Sequence, residues 1–488
     1  MRGYLGIAQF MLRGVVLGSA ALIGVLTASP AAANDLLRLY QLAQTQDTTL
    51  QSARFQRDAA IEVRPQALAQ WLPQLQGTVA AERERLGEQT GLSVAPSGGP
   101  IGIGALPGCE YASDDRTERC NVNYRTYGLT LSQTLWSFSA FSRLKEADFE
   151  AASAVAAYRS AQQQLVLQVA HAYFGVLQAV DLLTITRNER AAYALQLKQT
   201  QGREQTGLGS RSDVEQAQSY YDLTAQSVIQ AQNALDDARL ALAEIVGRPP
   251  GLTAPLRDQI PLAAPNPDSV EAWVVSANQD NPDVRAAQLS AEAAERAIGV
   301  QRGMGLPTLS LRGTAGHAVA PLVLGGTNSI DTVGVYFSWP LFSGGAVASA
   351  VRQSRALYRQ SEANLETVRR QTEQQTRSAY RNVVTGIQSI NAAQRAVQSA
   401  SNAVQAARRD IEFNGSTEFE LLAFQGNYYT ALIQYAQARY AYLSNVLILK
   451  QQAGRLSGHD LEMIDALLVT DGSGQPNGSG QTDGSAHE

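Results

Sequence analysis

The side chains able to do chemistry are few and scattered. Four histidines, His171, His317, His459 and His487, show no metal-ligand spacing. No Ser/His/Asp or Cys/His arrangement is present, and the glycines of "VLGGTNS" lack the setting of a phosphate loop. Catalysis, metal binding and a cofactor are therefore not expected. What remains is charge at two turns and one cysteine pair. Arg211, Asp213 and Glu215 follow the turn Gly207-Leu208-Gly209, and Glu420 follows Phe413-Asn414-Gly415. Ser210 or Ser212 is placed to cap a helix with Asp213 and Glu215 in its first turn. Glu420, close behind Ser416 and Thr417, suits the same dipole-stabilised position. Cys109 and Cys120, in "GCEYASDDRTERC", are spaced for a small loop disulfide in an oxidising compartment; the alternative is two free thiols.

The compartment is indicated by residues 1–33. Arg2 and Arg13 precede the apolar run "GVVLGSAALIGVL", and Ala31-Ala32-Ala33 offers a small-x-small cleavage site. The run is short for a spanning helix. Removing it takes away two arginines, leaving the mature chain more acidic than the net −5 of the full sequence. That disfavours a nucleic-acid partner. Beyond this leader, no segment is expected to cross a membrane as a helix.

Two long elements dominate the rest. Phe138 to about Gln205 contains no proline, and its only glycines are Gly175 and Gly202. At ~1.5 Å per residue it forms a rod of about 100 Å. Val166, Val169, Tyr173, Val176, Val180 and Leu183 step by three and four, with a small-residue line from Ala147 to Leu165 beside them. Two seams imply two neighbouring helices. A second rod begins at Ala346 and runs to about Asp410, and the surrounding pattern repeats as well. Leu72-Pro73 returns as Leu306-Pro307, Leu135 as Leu341, and Gly247 as Gly454.

The resulting divisions are a signal peptide (1–33), a first repeat (34–247), a Pro-rich connector (248–268), a second repeat (269–456), a C-terminal extension (457–470) and a disordered polar tail (471–488). Each repeat reads lead-in helix, strand, loop, strand, rod, tight turn, return helix. The first lead-in helix spans 35–71 with a kink expected at Pro65. Strands are expected at about 73–86, 122–136, 307–318 and 331–341. Tyr127, Leu129, Leu131 and Leu135 share one face of the second strand, and Val333, Val335, Phe337 and Trp339 one face of the fourth.

Trp71, Trp136 and Trp339 stand where strands meet helices, with Phe138, Phe141 and Phe342 nearby. They suit an aromatic belt at one membrane interface, or alternatively ordinary packing at a domain junction. Four strands cannot close on themselves in lipid, because open edges leave backbone groups unpaired at several kcal/mol each. Copies of the same chain must supply the missing edges. Three copies give twelve strands and twelve helix columns, an even count that suits an outer-membrane barrel. The sequence does not itself separate three copies from four.

Over residues 35–465 the chain resembles the TolC-like outer membrane efflux and type I secretion channels. The motifs are the paired "LPQL" and "LPTL", "LSQTLW" and "FSWPLFSGG" before the rods, "GLGSRSDVEQAQSYY" after the first, and "YTALIQYAQARYAYLSNVLILKQQAGRL" near the end. The resemblance implies a mostly α protein with a small β part. Its homotrimer would build a 12-stranded outer-membrane β-barrel continuous with a 12-column periplasmic α-helical barrel. It implies outer-membrane lipid around the barrel, a periplasmic adaptor (membrane fusion protein) and an inner-membrane RND, ABC or MFS transporter as partners, and no enzyme chemistry. It places a periplasmic gate at Glu420, with Asp213, Arg211 and Glu215, and adaptor contacts at the turns 207–209 and 413–415. Ala423 stands where the best-known members carry a second acid. For Glu420 an acidic ring favouring cations and a helix-start role remain equal readings. The rival for the whole chain is a non-conducting periplasmic or surface coiled-coil scaffold whose hairpins merely cap the rods.

Overall fold

The computed structural model describes residues 35–86, 109–110, 119–249, 251, 254–319, 327–412 and 417–469. The leader, the polar tail and the turn Phe413-Asn414-Gly415 lie outside them. The first repeat comprises α1 (Asp35–Gln46), α2 (Thr48–Ile61), α3 (Val63–Ala69), β1 (Gln74–Leu86), β2 (Cys109–Glu110), β3 (Arg119–Ser137), α4 (Phe138–Gln205) and α5 (Arg211–Val246). The second comprises α6 (Val270–Asp280), α7 (Pro282–Gly303), β4 (Thr308–Val319), β5 (Thr327–Ser338), α8 (Ala346–Glu412) and α9 (Glu418–Gln452), followed by α10 (Gly458–Asp465).

The lead-in segments differ from expectation. The first is three helices, not one kinked at Pro65. It breaks at Asp47, whose carboxylate accepts from the Leu50 N–H at 2.6 Å, and again at Glu62. Pro65 sits in the first turn of α3, where a missing N–H costs no helical bond. The second lead-in breaks at Asn281, which caps α7 with Pro282 in its first turn. Each return helix ends on the break of its own repeat. Gly247, at φ +76°, closes α5 against Gln46; Gly454, at φ +71°, closes α9 against the Asp280 carbonyl. These ends require left-handed backbone, which glycine alone adopts without strain.

The rods are long but buried mainly at mid-length. There Val166, Val169, Tyr173 and Val176 of α4 pack with Leu36 and Leu39 of α1, Val383 of α8 and Tyr440 and Leu447 of α9. The first and last described helices both reach this core. Asp465 of α10 accepts from the Leu36 and Leu37 N–H groups at 3.0 and 2.9 Å, and Leu256 of the connector pairs with Leu468. A stretch of α4 is apolar and long enough to cross a membrane by composition, contrary to expectation, but half of it is buried in the protein. A polar cluster completes the core. Tyr440 donates to Asp181 at 2.8 Å and Arg439 pairs with the same carboxylate at 3.3 Å. Burial nevertheless pushes the Asp181 carboxyl up.

The strands form one antiparallel sheet in the order β1-β3-β4-β5, with β2 on β3. β3 begins at Arg119, earlier than 122. β5 spans 327–338 and not 331–341, stopping before Pro340, which has no N–H for a ladder. A bulge falls between Thr134 and Trp136. Leu135 is therefore left unpaired, and Trp136 takes the place opposite Leu309 that strict alternation assigned to Leu135.

Replacing Gly454 by alanine puts a Cβ 2.2 Å from the Asp280 carbonyl oxygen in a left-handed backbone, whereas Gly247→Ala meets only the Gln46 side chain, at 3.1 Å. Thermal unfolding followed by circular dichroism should show Gly454→Ala as the larger loss, about 1–3 kcal/mol.

Candidate functional site

Two regions carry the features that point outside the chain: the sheet, and the helix tips far from it. Cross-strand partners share a face, so the register sorts the side chains. Leu75, Val79, Tyr127, Leu129, Leu311, Val333, Val335 and Phe337 fall on one face. Val79 is 87% exposed and Val333 84%, although both are strongly apolar. Gln76, Thr78, Thr130, Ser132, Ser310 and Thr332 fall on the other. An exposed apolar face backed by a polar one is a sheet between hydrocarbon and water. The outer edges of β1 and β5 pair with no strand among the described residues.

The six expected belt residues gather at the helix-bearing end of this sheet. Trp136 sits in the row of Leu309 and Phe337, and Phe138 and Phe141 open α4. Trp136, Phe138, Phe141, Trp339 and Phe342 are all exposed, Phe342 by 89%. Trp71 alone is half-buried, in the joint between α3 and β1. At the opposite end Cys109 stands directly across the ladder from Cys120; the side chains of both lie outside the described residues.

At the tips, one device is used twice. Ser210 Oγ accepts from the Asp213 N–H at 3.2 Å while the Asp213 carboxylate accepts from the Ser210 N–H at 3.1 Å. Thr417 and Glu420 do the same at 3.3 and 2.9 Å. Both expected gate acids are thus engaged in capping boxes. Arg211 and Glu215 form an exposed pair at 3.6 Å, one turn apart. The Gly207-Leu208-Gly209 turn folds back so that the Leu208 and Gly209 N–H groups donate to the Arg203 carbonyl, leaving Leu208 75% exposed.

Sequence reasoning missed the acid that joins the two hairpins. Glu418, with its side chain only 12% exposed, lies 2.9 Å from Arg203 Nη1 and also accepts from Gln196 Nε2, both on α4. Its position was readable: Glu418 leads the buried stripe Leu421, Leu422 and Gln425, and Glu420 lies off it.

The helices at the flanks are unlike in charge. α8 packs on α6, α7 and α9 and carries ten arginines against five acids. α5 packs mainly on α4 and carries six acids against two arginines. Leu223, Ile229 and Leu240 of α5 are exposed by more than half.

Known proteins resemble this chain over most of its length. The family described as "Outer membrane efflux protein" matches residues 39–248 and 273–455. Outer membrane protein TolC of Salmonella enteritidis is 30% identical over 446 residues, 89% of this chain and 85% of that protein. The alkaline protease secretion protein AprF of Pseudomonas aeruginosa is 29% identical over 358 residues, 71% of this chain and 74% of that protein. The crystal structure of outer membrane protein VceC from Vibrio cholerae superposes with a TM-score of 0.70 at 19% identity, covering 86% of this chain and 96% of that one.

Glu418→Ala removes the partner of Arg203 and Gln196, a loss of about 1–3 kcal/mol at a mostly buried site. Hydrogen exchange should then quicken in both the end of α4 and the start of α9. Glu420→Ala should quicken only the first turn of α9.

Proposed function

Since the chain belongs to the outer membrane efflux protein family, we propose that it is the exit duct of a tripartite export system, passing drugs, toxins or secreted proteins from an inner-membrane transporter and periplasmic adaptor to the exterior. The family is one of non-enzymatic outer-membrane channels, and the chain resides in the outer membrane with its helical part in the periplasm. The observation that carries the reading is the sheet: apolar on one face, polar on the other, without a strand partner at either edge among the described residues, and leading into two rods.

A homotrimer closes those edges and builds a 12-stranded barrel. Edge charge supports lateral joining of copies. Exposed Arg381, Arg395, Arg408 and Arg409 on the lower half of α8 suit exposed Asp222, Asp236, Asp237 and Glu244 on α5 of a neighbour. Leu223, Ile229 and Leu240 would then be covered. The exposed aromatics form the belt at the periplasmic interface, around lipid. Cys109 and Cys120 bridge; in antiparallel ladders opposed Cα atoms lie about 4.5–5.5 Å apart, inside the range a disulfide spans.

At the tip we assign the latch to Glu418 with Arg203, because it ties one hairpin to the other. Glu420 and Asp213, with Arg211 and Glu215 nearby, set the local potential of the opening. The turns at 207–209 and 413–415 receive the adaptor. The inner-membrane RND, ABC or MFS transporter supplies the energy.

Detergent-extracted protein should carry ion currents in planar bilayers, and Glu418→Ala or Arg203→Ala should raise the mean conductance several-fold. Glu420→Ala should reduce cation preference. A protein that never conducts would fit the coiled-coil scaffold instead. Intact-mass measurement should find the chain lighter by two hydrogens than its reduced form, and Cys109→Ser should abolish that difference.

A further inference from the structure

The polar face of the sheet is lined by glutamine, threonine, serine and glycine. From the helix-bearing end as far as Ala80 of β1, Arg312 is the one charged residue of that face among the described residues; Glu82 and Glu84 follow only at the far end of β1. It stands in the row Gln74, Ser132, Arg312, Gly334, four pairs along the ladder from Thr308 and Ser338, where the strands hand over to helices. Its ladder partners Ser132 and Gly334 are neutral, as are Ser310 and Thr314 on either side.

The guanidinium is held against the wall. It lies 5.3 Å from the centroid of the Tyr336 ring, a cation–π contact that leaves its charge intact. Gly334 makes this possible, since a Cβ there would come 3.3 Å from the same ring. Arg312 itself is exposed. The charge is therefore fixed in place and presented to whatever fills the space beside the polar face.

We propose that Arg312, contributed once by each copy, forms a cationic ring at the inner mouth of the barrel and biases permeation there toward anions, inorganic or carboxylate. This rests on the reading of the sheet as part of a lipid-embedded barrel with its polar face inward. Rings of arginine favour anions in pores. Their reach is set by screening: about 30 Å at 0.01 M salt, but about 3 Å at 1 M. A barrel of twelve strands is wider than the eight-stranded kind that side chains fill. The ring therefore acts across the opening in dilute salt and only at the wall in concentrated salt.

The test is the reversal potential of single channels in KCl gradients, for the native protein, Arg312→Gln and Arg312→Lys. In about 0.01 M salt the Gln variant should raise the potassium-to-chloride permeability ratio by about twofold or more, with Lys close to native. In about 1 M salt all three should agree. A conducting Gln variant with an unchanged ratio in dilute salt would overturn the proposal. So would a difference that persists in 1 M salt, which would mean an altered pore shape. If the native protein itself carries no current, the channel reading fails first and this inference with it. Should the Gln variant not insert, Arg312→Cys with Cys109→Ser and Cys120→Ser, labelled by a cationic or an anionic methanethiosulfonate, asks the same question. Opposite shifts with the two labels support the ring, and equal shifts refute it.

Discussion

A backbone N–H or C=O facing hydrocarbon without a partner costs several kcal/mol, and among the described residues β1 and β5 have no strand paired along their outer edges. In water those edges would invite aggregation; in lipid they exclude a lone chain altogether. The apolar face that makes the sheet fit a membrane also makes its edges intolerable there. Closure by identical neighbours meets both demands at once. In the proposed assembly the unlike charges on α5 and α8 would extend the same joining surface down the helical part, where no lipid enforces it.

Duplication explains how one chain makes so regular a wall. Each repeat breaks its lead-in segment at a capping residue, Asp47 or Asn281, and ends its return helix on a left-handed glycine beside that break. At that level two shorter helix segments meet end to end alongside one unbroken rod. α1, α10 and the connector gather at the same level, with Asp465 capping α1 at Leu36, 429 residues away. Burial is therefore concentrated at mid-length, and the tips are held by a few polar contacts such as Glu418 with Arg203. Such an arrangement would suit the proposed gate, an end that opens without unfolding the body.

The rods were legible because an unbroken three-four pattern without proline fits little besides a long helix, and α4 begins and ends where that pattern does. The breaks at Asp47 and Asn281 were not read, although an acid before Thr-Thr and an asparagine before proline are helix-start signals; continuous apolar periodicity masked them. The bulge at Leu135 has no signature in a period-two pattern, so the side of the sheet taken by Trp136 was not derivable from alternation. At the tip, residue type drew attention to Glu420, but phase on the helix decides which acid faces the neighbouring hairpin, and that is Glu418. The isolated charge of Arg312 became visible only once the register showed that its neighbours on that face are neutral as far as Ala80, with Glu82 and Glu84 at the far end of β1.

The most direct test of the central claim is oxidative cross-linking in intact outer membranes. Cys109 and Cys120 are replaced by serine, and single cysteines are scanned along 74–80 of β1 paired with others along 332–338 of β5. Edge closure by identical copies predicts that pairs in register give a ladder of dimers and trimers that ends at the trimer. Cross-links confined within one chain, a ladder continuing past three, or none at any register would contradict it.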